Sequence, residues 1–149
     1  MKKLSSLVLV FSLLVLVSGG ASAMEIQGAF GGPDYFGGGV VLEDMFEIAE
    51  QDVGLVAMGM LNEDVNTNNQ GFEALAGLHW DKVKFGDTVT DSFNYQFGLG
   101  YNTAGDDGRG GNAGLTYFAK TSVELTDSIA LGGMYSSSMN GALTTNISF

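Results

Sequence analysis

From Met24 onward apolar residues recur at every second position, the period of a strand whose two faces meet different surroundings. The clearest run is Phe93 to Tyr101, where Phe93, Tyr95, Phe97, Leu99 and Tyr101 share one face and Asn94, Gln96, Gly98 and Gly100 the other. The same alternation sets Phe72, Ala74, Ala76, Leu78 and Trp80 against Glu73, Leu75, Gly77, His79 and Asp81. It returns with Ala113, Leu115, Tyr117, Ala119, Thr121, Val123 and Leu125, then with Ile129, Leu131, Gly133 and Tyr135, and finally with Leu143, Thr145, Ile147 and Phe149. Before these lie three segments in which glycine and methionine blur the pattern: "EIQGAFGG" from Glu25, "YFGGGVVLE" from Tyr35 and "DVGLVAMGML" from Asp52. No stretch beyond Met24 sustains apolar residues at helical spacing, so strands account for the whole pattern.

The two faces are unequal. The apolar face of the five clear segments carries no charge, whereas the other holds Glu73, Asp81, Lys120, Glu124 and His79 among small and neutral polar residues. A water-facing exterior would be roughly 25–35% charged. The polar face therefore fits a narrow lumen filled by side chains, and the neutral face fits lipid. Three segments added to five give eight strands, the smallest closed barrel able to cross a membrane without unpaired backbone groups. The predicted fold is all-β: a single antiparallel up-and-down transmembrane barrel. Phe72, Trp80, Phe93, Tyr101, Tyr135 and Phe149 fall near strand ends, where they are expected to anchor the barrel at the membrane interfaces.

Polar connections are predicted at Gly31 to Asp34, Asn62 to Asn69, Thr103 to Gly111 and Ser137 to Gly141, on the extracellular side if both termini are periplasmic. The opposite turns fall at Asp44 to Gln51, around Gly86-Asp87, and at Thr126-Asp127. The spans 44–51 and 82–90 could instead prolong strands.

Ahead of the barrel, Lys2 and Lys3 precede an apolar run from Leu4 to Val17, then Gly19-Gly20 and the triplet Ala21-Ser22-Ala23. This is the layout of a bacterial secretory signal peptide cleaved after Ala23, and the run is shorter than the ~20 residues a membrane helix needs. Two units follow: a signal peptide, 1–23, and a barrel, 24–149.

The net charge of −11 disfavours nucleic acid as a partner, since such binding rests on basic contacts to phosphate. The absence of cysteine removes disulfides, thiolate metal sites and a lipidated N-terminal cysteine.

In pattern the chain resembles the small eight-stranded outer-membrane barrels of Gram-negative bacteria, of the OmpX and OmpA-transmembrane-domain kind. The specific motif is the closing strand "GALTTNISF", with Leu143, Ile147 and Phe149 on one face; its terminal aromatic resembles the signal read by the barrel-insertion machinery. Its "N-x-S-F" ending is also similar to the YfaZ family of barrels. The resemblance implies outer-membrane localisation, lipid and the assembly machinery as partners, a monomer, and no cofactor.

Candidate chemistry is sparse. A Ser-His-acid hydrolase would need the lone histidine, His79, within reach of a serine and a carboxylate. The His-x-Ser signature of outer-membrane lipid A deacylases is missing, because Trp80 and Asp81 follow His79. A polar lumen network of Glu73, His79, Lys120 and Glu124 is the simpler expectation, since buried charges need partners. With one histidine and no cysteine no zinc site is expected. Asp64 to Glu73 is only superficially like a calcium loop, since Gly71 is misplaced. Asp106 and Asp107 could offer oxygen ligands at the surface, although a solvated loop explains them. The glycine triplet Gly37 to Gly39 lacks the Lys-Ser/Thr of a phosphate loop.

The leading expectation is a non-enzymatic barrel with a structural role or recognition through its loops, their ligand unspecified. A narrow channel or small-ligand binder, a lipid A-modifying enzyme, and a secreted lipocalin-type barrel are the alternatives.

Overall fold

The computed structural model describes residues 23–31, 35–64, 69–82, 84–85, 88–89, 93–103, 114–138 and 141–149. The run expected as a signal peptide, through Ser22, together with Pro33 and Asp106 and Asp107, lies outside the described residues. Ten strands are present: β1 (Met24–Phe30), β2 (Tyr35–Ile48), β3 (Gln51–Asp64), β4 (Asn69–Trp80), β5 (Lys84–Phe85), β6 (Thr88–Val89), β7 (Phe93–Asn102), β8 (Gly114–Thr126), β9 (Ile129–Ser136) and β10 (Ala142–Ser148). Eight of them form one closed barrel in the order β1-β10-β9-β8-β7-β4-β3-β2, every pair antiparallel, and β5-β6 stand apart as a separate two-stranded sheet. The fold is thus the all-β, up-and-down barrel that the alternation predicts. Closure comes from β1 and β10, with Glu25 opposite Ser148 and Phe30 opposite Leu143.

The two spans left open between turn and strand resolve differently, and two other connections shift. The span 82–90 adds no barrel strand, because β5 and β6 pair only with each other in a small hairpin. The span 44–51 is mostly strand: β2 runs to Ile48, β3 begins at Gln51, and the turn is Ala49-Glu50 alone. Both turn residues have positive φ, 53° and 61°, the backbone of a type I′ hairpin turn, whose twist matches that of the flanking strands. The last tight turn falls at Asp127-Ser128 rather than Thr126-Asp127, after an irregularity between Glu124 and Thr126. β3 and β4 also reach into the segment expected as a loop, with Asp64 opposite Asn69.

Directly opposed residues of antiparallel strands share a face, so register fixes which side chains enter the lumen. Glu73 lies opposite Met60 and Asn102, His79 opposite Gly54 and Gln96, and Gln96 opposite Lys120. On the outside, Trp80 lies opposite Val53 and Tyr95, and stacks on Phe97 with ring centroids 4.8 Å apart. Glycines make the lumen narrow. Gly77 and Gly98 oppose each other, and a Cβ added at Gly98 would stand 2.1 Å from the Ala76 carbonyl oxygen. Gly98 in turn opposes Phe118, which is buried in the lumen.

Candidate functional site in the barrel lumen

The middle of the lumen is apolar. Val41, Val56, Met58, Met60, Leu75, Phe118 and Met134 pack with Ala29 and Tyr35 into one buried cluster. A polar assembly lies on each side of it.

At the end farther from the chain termini, Glu73 is buried and its carboxylate accepts hydrogen bonds from three hydroxyls. Ser136 Oγ donates at 2.9 Å, Ser138 Oγ at 2.7 Å, and the Tyr35 hydroxyl completes the set. Donors on this scale compensate a carboxylate withdrawn from water. Their elements are the start of β2, one strand removed from β4 across β3, and the end of β9 with its turn, which reaches Glu73 across the lumen of the closed sheet.

Toward the other end, where β1 begins and β10 finishes (the terminal end of the barrel), buried Lys120 Nζ donates to Gln27 Oε1 at 2.6 Å and to Asn146 Oδ1. Asn146 Nδ2 donates to Glu25 at 2.7 Å, and Ser148 Oγ donates to the other oxygen of Glu25 at 2.9 Å. The chain from Lys120 to Glu25 thus runs through neutral amides across β8, β1 and β10. His79 lies in the same region, its Nδ1 3.0 Å from Gln96 Nε2. Among the described residues His79 Nε2 and Gln96 Oε1 have no hydrogen-bond partner, although both are buried.

Glu43 comes into this end through an irregularity in β2. Leu42 opposes Leu55 and Phe46 opposes Val53, so three residues of β2 face one of β3, with Asp44 at φ 51°. The one residue opposite is Gly54, which itself opposes His79; a Cβ there would stand 2.4 Å from the Leu42 carbonyl oxygen and 3.2 Å from Glu43 Cα. One donor atom each from Glu25, Glu43 and His79 lie within 4.8 Å of one another. Asp81, just beyond β4, has its pKa held up to about 6, because burial strips water from its carboxyl and Glu124 stands beside it.

The four residues expected to form one polar network are therefore divided. Glu73 sits in its own hydroxyl cage, His79 and Lys120 flank Gln96, and half-buried Glu124 lies with Asp81 near the terminal end. The residues expected as interface anchors lie on the outer surface: Phe93, Tyr101 and Tyr135 are exposed, while Phe72 and Trp80 are half-covered. Leu143, Ile147 and Phe149 are exposed along one face of the closing strand.

Sequence reasoning missed Glu25, Gln27, Tyr35 and Glu43. Glu25 and Gln27 alternate with Ile26 in a way that could have been read, but two glycines and a short strand weaken the pattern. Glu43 gives no periodic signal, since the irregularity beside it breaks the count. No family model, no characterised protein and no solved structure matches this chain.

Proposed function

We propose that this protein is a non-enzymatic outer-membrane β-barrel, a monomer seated in lipid, whose role is structural or carried by its surface loops. The observation that supports this reading is the inverted distribution of polarity. Leu115 and Leu143 are 78% and 76% exposed, and Phe30, Phe97, Leu99, Tyr101, Tyr117 and Leu131 are also exposed around the outside. Glu25, Glu73, His79 and Lys120 are each at most 4% exposed inside. Water-soluble monomers rarely show contiguous apolar patches above a few hundred Å². A belt of this kind around a closed sheet matches what hydrocarbon requires of a spanning barrel.

A role as an open pore is disfavoured by the apolar cluster across the lumen and by the small diameter of eight strands. The face of Leu143, Ile147 and Phe149 on β10 is available to the assembly machinery as a recognition strand, and the preceding 23 residues serve as the export signal. The test is cell fractionation together with gel mobility of unboiled and boiled samples. Recovery in the outer-membrane fraction with a heat-dependent mobility shift is expected. A protein that stays in solution without detergent overturns the reading. Planar-bilayer recording should be silent, and discrete conductance steps would favour a channel instead.

A further inference from the structure

Glu25 and Glu43 bring two carboxylates together beside an imidazole, at the terminal end of a narrow lumen. Two independent features make this more than an acidic cluster. His79 is 1% exposed, and its Nε2 has no partner among the described residues while Nδ1 faces Gln96. A buried polar atom without a partner carries the cost of lost hydration. Among the described residues no positive charge is bonded to the pair, because Lys120 is turned to the amide oxygens of Gln27 and Asn146. Asp44 and Asp81 add further negative charge close enough to act on Glu43.

We propose that Glu25, Glu43 and His79 Nε2 bind a divalent transition-metal ion, best matched by Zn²⁺. Zinc takes imidazole nitrogen and carboxylate oxygen alike, its open sites use three protein ligands with a further position for water, and the imidazole sets this site apart from one for Mg²⁺ or Ca²⁺. Donors about 2.0–2.1 Å from a tetrahedral ion stand about 3.3 Å from one another. The three donor atoms lie within 4.8 Å of one another, so a closure of at most about 1.5 Å completes the site. Two glutamate side chains can supply that by rotation. Glu43 is half-buried, which leaves the fourth position open to solvent from the terminal end. A dication also balances the two carboxylates, the compensation that paired burial of like charges demands.

Gln96 completes the arrangement from outside. An amide can present either end to a ring nitrogen, and with Oε1 toward His79 it accepts the Nδ1 proton. That bond satisfies the unpaired Gln96 oxygen and leaves the Nε2 lone pair for the metal. Ligating histidines are commonly oriented by such a bond on the other nitrogen. Gly54 lies opposite His79 and beside Glu43, where the Leu42 carbonyl and the Glu43 backbone close in and would exclude a side chain.

The proposal does not depend on where the barrel resides, so its failure and that of the membrane reading are separable. The test uses the untagged protein, purified from whichever cell fraction holds it and stripped with chelator. Calorimetric titration with ZnCl₂ should show one ion per chain, and Co²⁺ in its place should give visible d–d absorption of nitrogen and oxygen ligation. His79→Gln and Glu43→Gln should each weaken Zn²⁺ binding by at least about 10- to 100-fold, the size of losses seen even for outer-shell partners. Glu73→Gln, at the other end of the lumen, should leave it unchanged. Heat-modifiable mobility checks that each variant still closes its barrel, and Glu43→Gln, at a half-buried position, guards against a His79 variant that does not fold. No saturable binding, or equal binding by all three variants, overturns the site and leaves Glu25 and Glu43 sharing a proton. Preference for Ca²⁺ over Zn²⁺ also overturns it, since the imidazole would then have no part.

Discussion

Tyr35 and Glu73, 38 positions apart in the chain, meet inside the barrel through a hydrogen bond from the phenol to the carboxylate. The contact reaches over β3 and ties the first residue of β2 to β4. Tyr35→Phe removes that donor while keeping the ring, leaving Glu73 with Ser136 and Ser138. Hydrogen bonds to charged groups contribute ~1.5–3 kcal/mol, so unfolding in guanidinium from detergent micelles should shift by that amount. An unchanged midpoint would show that the phenol contributes nothing there.

Lys120→Met keeps the length of the side chain and deletes its charge. It leaves Gln27 Oε1 and Asn146 Oδ1 without their donor and removes the cation that acts on Glu25. Breaking a buried charged set in this way costs about 3–5 kcal/mol. The variant should lose its heat-modifiable form at a markedly lower temperature than the parent protein. Retention of the parent's melting behaviour would mean that water replaces the ammonium.

The outer wall can be challenged directly. Leu99 is 58% exposed on β7. In a bilayer, arginine on the lipid face costs about 2–4 kcal/mol near the midplane. On a water-facing surface the same change would fall within roughly ±0.5 kcal/mol. Leu99→Arg, refolded into vesicles and titrated with urea, should show the larger loss. A change inside the smaller range argues for a water-facing wall.

The β2–β3 turn offers a stabilising change. Ala49 and Glu50 both hold positive φ, which costs a residue bearing a Cβ ~1–2 kcal/mol. Asparagine and glycine adopt that conformation readily. The double variant Ala49→Asn, Glu50→Gly should therefore gain about 1–2 kcal/mol in the same vesicle assay. If stability falls instead, one of these two side chains makes a contact that outweighs the backbone strain.

Part of the barrel was legible because its two faces differ in kind. On β7, Asn94 and Gln96 turn inward beneath Phe93, Tyr95 and Phe97, and the alternation of polarity reports the alternation of side chains. On β2 and β3 it reports much less, because the lumen there is filled by Val41, Val56, Met58 and Met60 while Val40, Leu42 and Val53 face the other way. Both faces are apolar, so the period disappears although the strands are longer than those of β9 and β10. The turn at Ala49-Glu50 was hidden for a related reason: it lacks the Asn-Gly or Asp-Gly pair that announces positive φ. One of the three candidate metal ligands, Glu43, comes from these obscured strands, and a single histidine gave no hint of the two carboxylates that the fold carries to it.

The pairing of β1 with β10 sets the order in which this molecule can be completed. The strand made first waits for the strand made last, so during synthesis the sheet carries two open edges, and local hairpins alone cannot seal it. Closure consequently waits for β10, and the interval before that strand emerges is when the protein most needs escort.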